Sequence, residues 1–118
     1  MMVLAEHLVD AAGTIACAVG PAAGRGGARA ARGGIGPHAL PLPGQASALR
    51  GHSFHWSRFD TTLQPACFTT PQRASGAAGG GEPVYECGSL RASWFHAWFA
   101  SSPAATARLF LPAPLFQA

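Results

Sequence analysis

Near the start of the chain, apolar residues fall in doublets at positions 3/4, 8/9 and 11/12 of MVLAEHLVDAA. This spacing is close to the helical repeat. It predicts a helix over 2–12, with Gly13 as its C-terminal stop. The helix begins with no capping residue and no strand before it, so the chain is expected to be a fragment or the product of a truncated gene. TIACAV, 14–19, predicts a short strand. From 20 to 47 neither the helical nor the strand period is present. GPAAGRGGARAARGGIGPHALPLPGQAS predicts a loop or a disordered segment.

Strand-like pattern returns at 48–59, where Phe54, Trp56 and Phe59 favour extended backbone. Shorter strands are predicted over 64–70, stopped by Pro71, and over 83–88, with ASGAAGGG (74–81) as a flexible turn between them. In ASWFHAWFASS, 92–102, alternation puts Ser93, Phe95, Ala97 and Phe99 on one face and Trp94, His96 and Trp98 on the other. Both faces are bulky, so this segment is predicted to be a strand buried between layers. Ser102 and Pro103 form an N-cap and N1 pair opening a helix over 103–111, ended by Pro112. The tail PAPLFQA is predicted to drape over the surface.

Composition narrows this picture. The chain has 118 residues, one modest domain in size, and is 48% hydrophobic. Alanine supplies much of that share and buries little area, so the core is expected to be thin. Only 11% of residues are charged, and 15 glycines and 10 prolines favour loops. This reads as part of a folded protein. The formal net charge is +3 and every basic residue is arginine. An Arg/Gly RNA-binding tail through Arg25, Arg29 and Arg32 is disfavoured, because no aromatic is interleaved to stack on bases. No nucleic-acid partner is expected. There is no signal peptide and no run of eighteen apolar residues, so no membrane partner is expected and the cytoplasm is the default location.

Cys17, Cys67 and Cys87 are odd in number and lack C-x-x-C spacing, which argues against a zinc site or a disulfide framework. The densest candidate chemistry is GHSFHWSRFD, 51–60. On a strand, His52 and His55 point to opposite faces, which weakens a two-ligand metal reading. No metal ligands are assigned. No phosphate-loop, GxGxxG or HExxH motif is present.

Three blocks in order resemble one family. MMVLAEHLVDAAGT resembles the helix after the nucleophile of the cobyrinic acid a,c-diamide synthases, where a "CGGYMVLGE"-like segment is usual. GHSFHWSR resembles their "GHEFHYSR", and ASWFHAWFASSPAATARLF resembles their C-terminal "SYlHlHFaSNPalAarf". The middle block is the most specific, because the related cobyric acid synthases carry a "GYEIHMG"-like sequence there. The resemblance covers about 1–19 and 48–111. The low-complexity stretch 20–47 departs from the family's segment, which contains a strand.

The resemblance implies that 1–118 is the C-terminal part of a class I, triad-type glutamine amidotransferase domain. The implied fold is α/β and flavodoxin-like, with an incomplete sheet and flanking helices. Such enzymes use ATP and Mg to activate the a and c acetates of a corrin precursor, and amidate them with ammonia from glutamine. This chain would hold no cofactor itself, its partner being the rest of the synthase with the ATP-binding domain upstream. The nucleophilic cysteine is expected just before Met1, so the chain alone is expected to be inactive. Cys17, Cys67 and Cys87 do not match its position.

His96 matches the first histidine of the third block and the place of the triad base, and is preferred to His55. On residues alone, a histidine between two tryptophans is a packed strand residue. For His52 and His55, packing and support or substrate contact at the glutaminase site both stand. The usual orienting glutamate two residues after the base is Trp98 here, so a Cys–His dyad is implied for an intact relative. The family's glutamate in the middle block is Ser53. Arg58 follows the family pattern, as an anion or interdomain contact or as a surface ion pair. The alternative for the whole chain is a degenerate glutaminase-like binding module without catalysis.

Overall fold

Strand pairing dominates the computed structural model, which describes residues 4–17, 20, 22–28, 35–72 and 80–116. They group into two compact units, Met1–Gly33 with His55–Gln64, and Gly34–Phe54 with Pro65–Ala118.

The first unit holds one four-stranded sheet, in the order β2-β1-β3-β6. Its strands are β1 (Ala5–Val9), β2 (Ile15–Cys17), β3 (Ala22–Ala28) and β6 (Ser57–Asp60). The helix expected over 2–12 is therefore a strand. The reason lies in the turn that follows it. The Asp10 carboxylate accepts from the N–H groups of Ala12 (2.9 Å) and Thr14 (2.8 Å), and Gly13 takes φ +86°. That folds β1 back onto β2 as an antiparallel hairpin, with His7 opposite Cys17. The Thr14 N–H is also the main reason the Asp10 carboxyl sits below its ordinary range.

Strand β3 overturns the loop expected over 20–47. It runs parallel to β1 and antiparallel to β6, so backbone bonds hold it on both edges. A strand bonded on both sides is stabilised by its ladder even where Gly and Ala give no side-chain period. A Cβ on Gly24 (φ +145°) would meet the Asp60 carbonyl oxygen at 2.6 Å, so the small residues let the strands approach.

The second unit holds two sheets, β10-β9-β7 and β11-β5-β4-β8. Here β4 is Ile35–Leu40, β5 Leu49–Phe54, β7 Cys67–Phe68, β8 Thr70–Pro71, β9 Pro83–Cys87, β10 Leu90–Ala92 and β11 Phe95–Ala97. Leu40, Leu42, Leu49, Val84, Ala105 and Leu115 form the core, with Phe95, Leu109 and Phe116 packed against it. Strand β4 is the second strand inside the expected loop.

Two single strands of the sequence reading are each broken in two. The run 48–59 divides at His55–Trp56 into β5 and β6, which belong to different units. The run 92–102 divides at Ser93, whose hydroxyl donates to the Pro83 carbonyl (2.9 Å) and accepts from the Phe95 N–H (3.1 Å). β10 pairs with β9 and β11 with β5, so the chain changes sheets there. Nor is this segment buried between layers: Trp98 is 58% exposed and Phe99 50%. The turn expected at 74–81 lies mostly outside the described residues.

The one described α-helix, α1 (Pro103–Leu109), follows a 3-10 turn at Phe99–Ser101 and starts as its cap signal predicts, with the Ser102 hydroxyl accepting from the Ala105 N–H. No described helix is long and apolar enough to cross a membrane. With mostly β structure, three small sheets and one seven-residue helix, the expected flavodoxin-like α/β fold with flanking helices is corrected. The tail is corrected too. Leu115 is buried, and it and Phe116 donate their N–H groups to the Glu86 carboxylate.

Candidate functional site

Strand β5 alternates cleanly. Leu49 and Ser53 are buried, whereas Arg50, His52 and Phe54 are exposed on the other face. In the antiparallel ladder His96 of β11 lies opposite His52, and on the other side Pro37 of β4 lies opposite His52. The His52 and His96 rings stack with centroids 5.3 Å apart and 11° between planes. No hydrogen bond engages a ring nitrogen of either residue among the described residues. Gly51 makes the pairing possible. A Cβ there would run into the His96 carbonyl oxygen and the Phe95 ring, so the glycine before His52 is required by the close approach of β11.

The stacked pair borders a shallow cleft of about 560 Å³, mostly apolar, with Ile35, Pro37 and Phe54 on its walls. Beneath it runs a buried polar chain. The Ser53 hydroxyl donates to Glu82 Oε1 (2.6 Å), the Glu82 N–H donates to Thr69 Oγ1 (2.8 Å), and the same hydroxyl bonds His38 Nδ1 (2.8 Å). All four residues are buried. A carboxylate thus stands against position 53, brought by Glu82. Sequence reasoning missed Glu82 and His38, because neither sits in a recognisable block and only the strand pairing brings them together.

The structure joins His96 to His52 and assigns His55 to the other unit. There its Nδ1–H donates to the Ser57 carbonyl (2.8 Å). Arg58 forms an exposed ion pair with Asp60 (3.0 Å). Trp98 lies under the Arg50 guanidinium, 5.9 Å from its ring centroid.

No cysteine sulfur hydrogen-bonds a histidine among the described residues. Burial, reinforced by the Glu86 carboxylate, pushes the Cys67 thiol up to about 11. At pH 8 its thiolate population should be about 100-fold below that of an ordinary thiol. Modification by a disulfide reagent at that pH should therefore label the exposed Cys17 and Cys87 first and Cys67 about 10-fold more slowly, since its more basic thiolate regains part of the population loss, read by peptide mass spectrometry. Equal rates at all three would contradict this.

ATP and magnesium do not fit the described residues. No three of His, Cys, Asp and Glu converge, and the start of α1 is filled by the Ser102 side chain.

Comparison with known proteins gives two relatives. The chain is 42% identical over 112 residues to the cobyrinate a,c-diamide synthase of Herminiimonas arsenicoxydans, covering 95% of this chain and 24% of that protein. It is 37% identical over 65 residues to the hydrogenobyrinate a,c-diamide synthase of Pseudomonas aeruginosa, covering 55% of this chain and 14% of that protein. The chain therefore spans a quarter or less of the length of either relative. No family model and no solved structure matches it.

Proposed function

We propose, from the homology of this chain to a quarter of cobyrinate a,c-diamide synthase, that it belongs to the glutamine-hydrolysing portion of such an enzyme. In this reading it helps release ammonia for ATP-dependent amidation of corrin acetate side chains in cobalamin biosynthesis, in the cytoplasm. The observation that carries the reading is the His52–His96 pair. The histidine at the expected base position is exposed, has ring nitrogens free of hydrogen bonds, and is held by a neighbouring ring above an apolar cleft.

The chemistry needs a thiol from the part of the synthase that the resemblance puts before Met1. His96 takes the thiol proton as sulfur attacks the glutamine side-chain carbonyl carbon. It returns that proton to the departing nitrogen, giving ammonia and a thioester. Water then attacks the thioester, His96 again accepting and returning one proton, and glutamate leaves with the thiol restored. His52 acts on His96 by stacking, in place of the acid that Trp98 displaces. The ATP and magnesium sites belong to the remainder of the synthase.

The test is a graft. The 118-residue chain alone should release no glutamate from glutamine. Placed in the Herminiimonas arsenicoxydans protein in exchange for its matching quarter, it should support glutamine-driven amidation. Hydrolysis by the chain alone would overturn the division of labour. A graft that turns over ammonia but not glutamine would favour a degenerate binding module.

A further inference from the structure

The exposed face of β5 continues past His52 into a second cleft of different chemistry. It holds about 370 Å³ and is lined by Pro37, His38, Arg50, His52, Gln72 and Trp98. Its polar side chains are a guanidinium, two imidazoles, an amide and an indole, and no carboxylate lines it. The second unit's two acids are engaged elsewhere, Glu82 by Ser53 and Glu86 by Arg91. Arg50 pairs with no acid among the described residues. Both its backbone groups are held by the segment after β11, the N–H donating to Ser101 Oγ (2.9 Å) and the carbonyl accepting from the Trp98 N–H (2.8 Å). His38 is held by Thr69. A guanidinium on a pinned strand, laid over the Trp98 ring and with no acid beside it, is built to receive a carboxylate.

Size and position narrow the ligand. The cleft is at the small end of ligand sites, suited to a molecule of amino-acid size rather than a macrocycle. His52 lines both clefts and stacks on His96. Arg50 and His52 are two residues apart on one face, about 7 Å, comparable to the reach of extended glutamine from α-carboxylate to side-chain amide. We infer that this cleft is the α-carboxylate subsite for glutamine, with Arg50 as the residue that selects it. The inference rests on the glutaminase reading of His96. Tetrapyrrole acetate side chains offer the same carboxylate chemistry, and the experiment separates the two sources.

The isotope-labelled 118-residue chain is titrated, by NMR, with L-glutamine, with 4-aminobutanamide (glutamine without its α-carboxylate) and with uroporphyrin. Glutamine should shift the Arg50 Nε–H and Trp98 indole resonances and bind at least tenfold more tightly than 4-aminobutanamide. Arg50→Ala should erase that difference and Arg50→Lys should keep part of it, the spectra of both variants reporting that the fold is intact. Equal binding of the two amides, glutamine binding indifferent to Arg50, or tighter binding of uroporphyrin at these resonances would each overturn the assignment. If His96 proves indispensable in the graft while Arg50→Ala leaves glutamine affinity unchanged, the inference fails and the glutaminase reading survives. Arg50-dependent glutamine binding with a dispensable His96 keeps the subsite and removes that reading.

Discussion

Arg91→Ala should lower the unfolding free energy by about 3–5 kcal/mol, the typical cost of stranding one partner of a buried ion pair. The Arg91 and Glu86 side chains are only 10% and 0% exposed, and Arg91 Nε lies 3.0 Å from Glu86 Oε2. Arg91 also donates to the carbonyls of Leu109 (3.0 Å), Leu111 (3.1 Å) and Ala113, while the Glu86 oxygens accept from the N–H groups of Leu115 and Phe116. One ion pair therefore ties the last eight described residues to β9 and β10 and seats Leu115 in the core. Burial alone would raise the Glu86 carboxyl. The Leu115 and Phe116 N–H groups and Arg91 outweigh it and hold the group below its ordinary range. A depressed carboxyl stabilises the fold above its unfolded pKa, and that contribution fades as pH falls through the lower folded value. The wild-type chain should thus lose stability in acid, below about pH 4. Arg91→Lys keeps the charge but not the planar fork, so its loss should be intermediate. Urea melts read all of this, and a loss under about 1 kcal/mol for Arg91→Ala would contradict the clamp.

His96→Ala, made in the grafted synthase, should cut glutamine-driven turnover by about 10²–10⁴-fold, the usual contribution of a positioned acid–base group. His96 lies on a strand of three residues, and its ring contact is with His52. His52→Ala should therefore cost less, roughly 10- to 100-fold, through misplacement of the ring. It should lower kcat more than it raises KM. A residue that served only the fold would depress glutamine-driven and ammonia-driven turnover together.

What could be read from the chain beforehand follows physical lines. The helix at 103–109 was legible because Ser102 and Pro103 act locally through one hydroxyl and one fixed φ. Strands β5 and β9 were legible from their own side chains. The β1 hairpin was not, because apolar doublets suit either element and the decision rests on Asp10 and Gly13. Strand β3 could not be read, since its support is the backbone of β1 and β6 rather than any side-chain pattern. The flavodoxin-like expectation came from the resemblance, and the local turn chemistry of this chain runs against it. Of the site, His96 and His52 were each visible, but their stacking depends on the register of β11 against β5, which Gly51 permits. Arg50, His38 and Glu82 carry no local signal, and only the pairing of strands distant in sequence brings them to the clefts.

Whether this chain supplies the base of a glutaminase site is decided by one ratio. In the grafted synthase, the rate of amidation driven by glutamine is divided by the rate driven by ammonia, with and without His96→Ala. The ratio should fall by at least about 100-fold in the variant while the ammonia-driven rate stays unchanged. An unchanged ratio, or an equal fall in both rates, would contradict it.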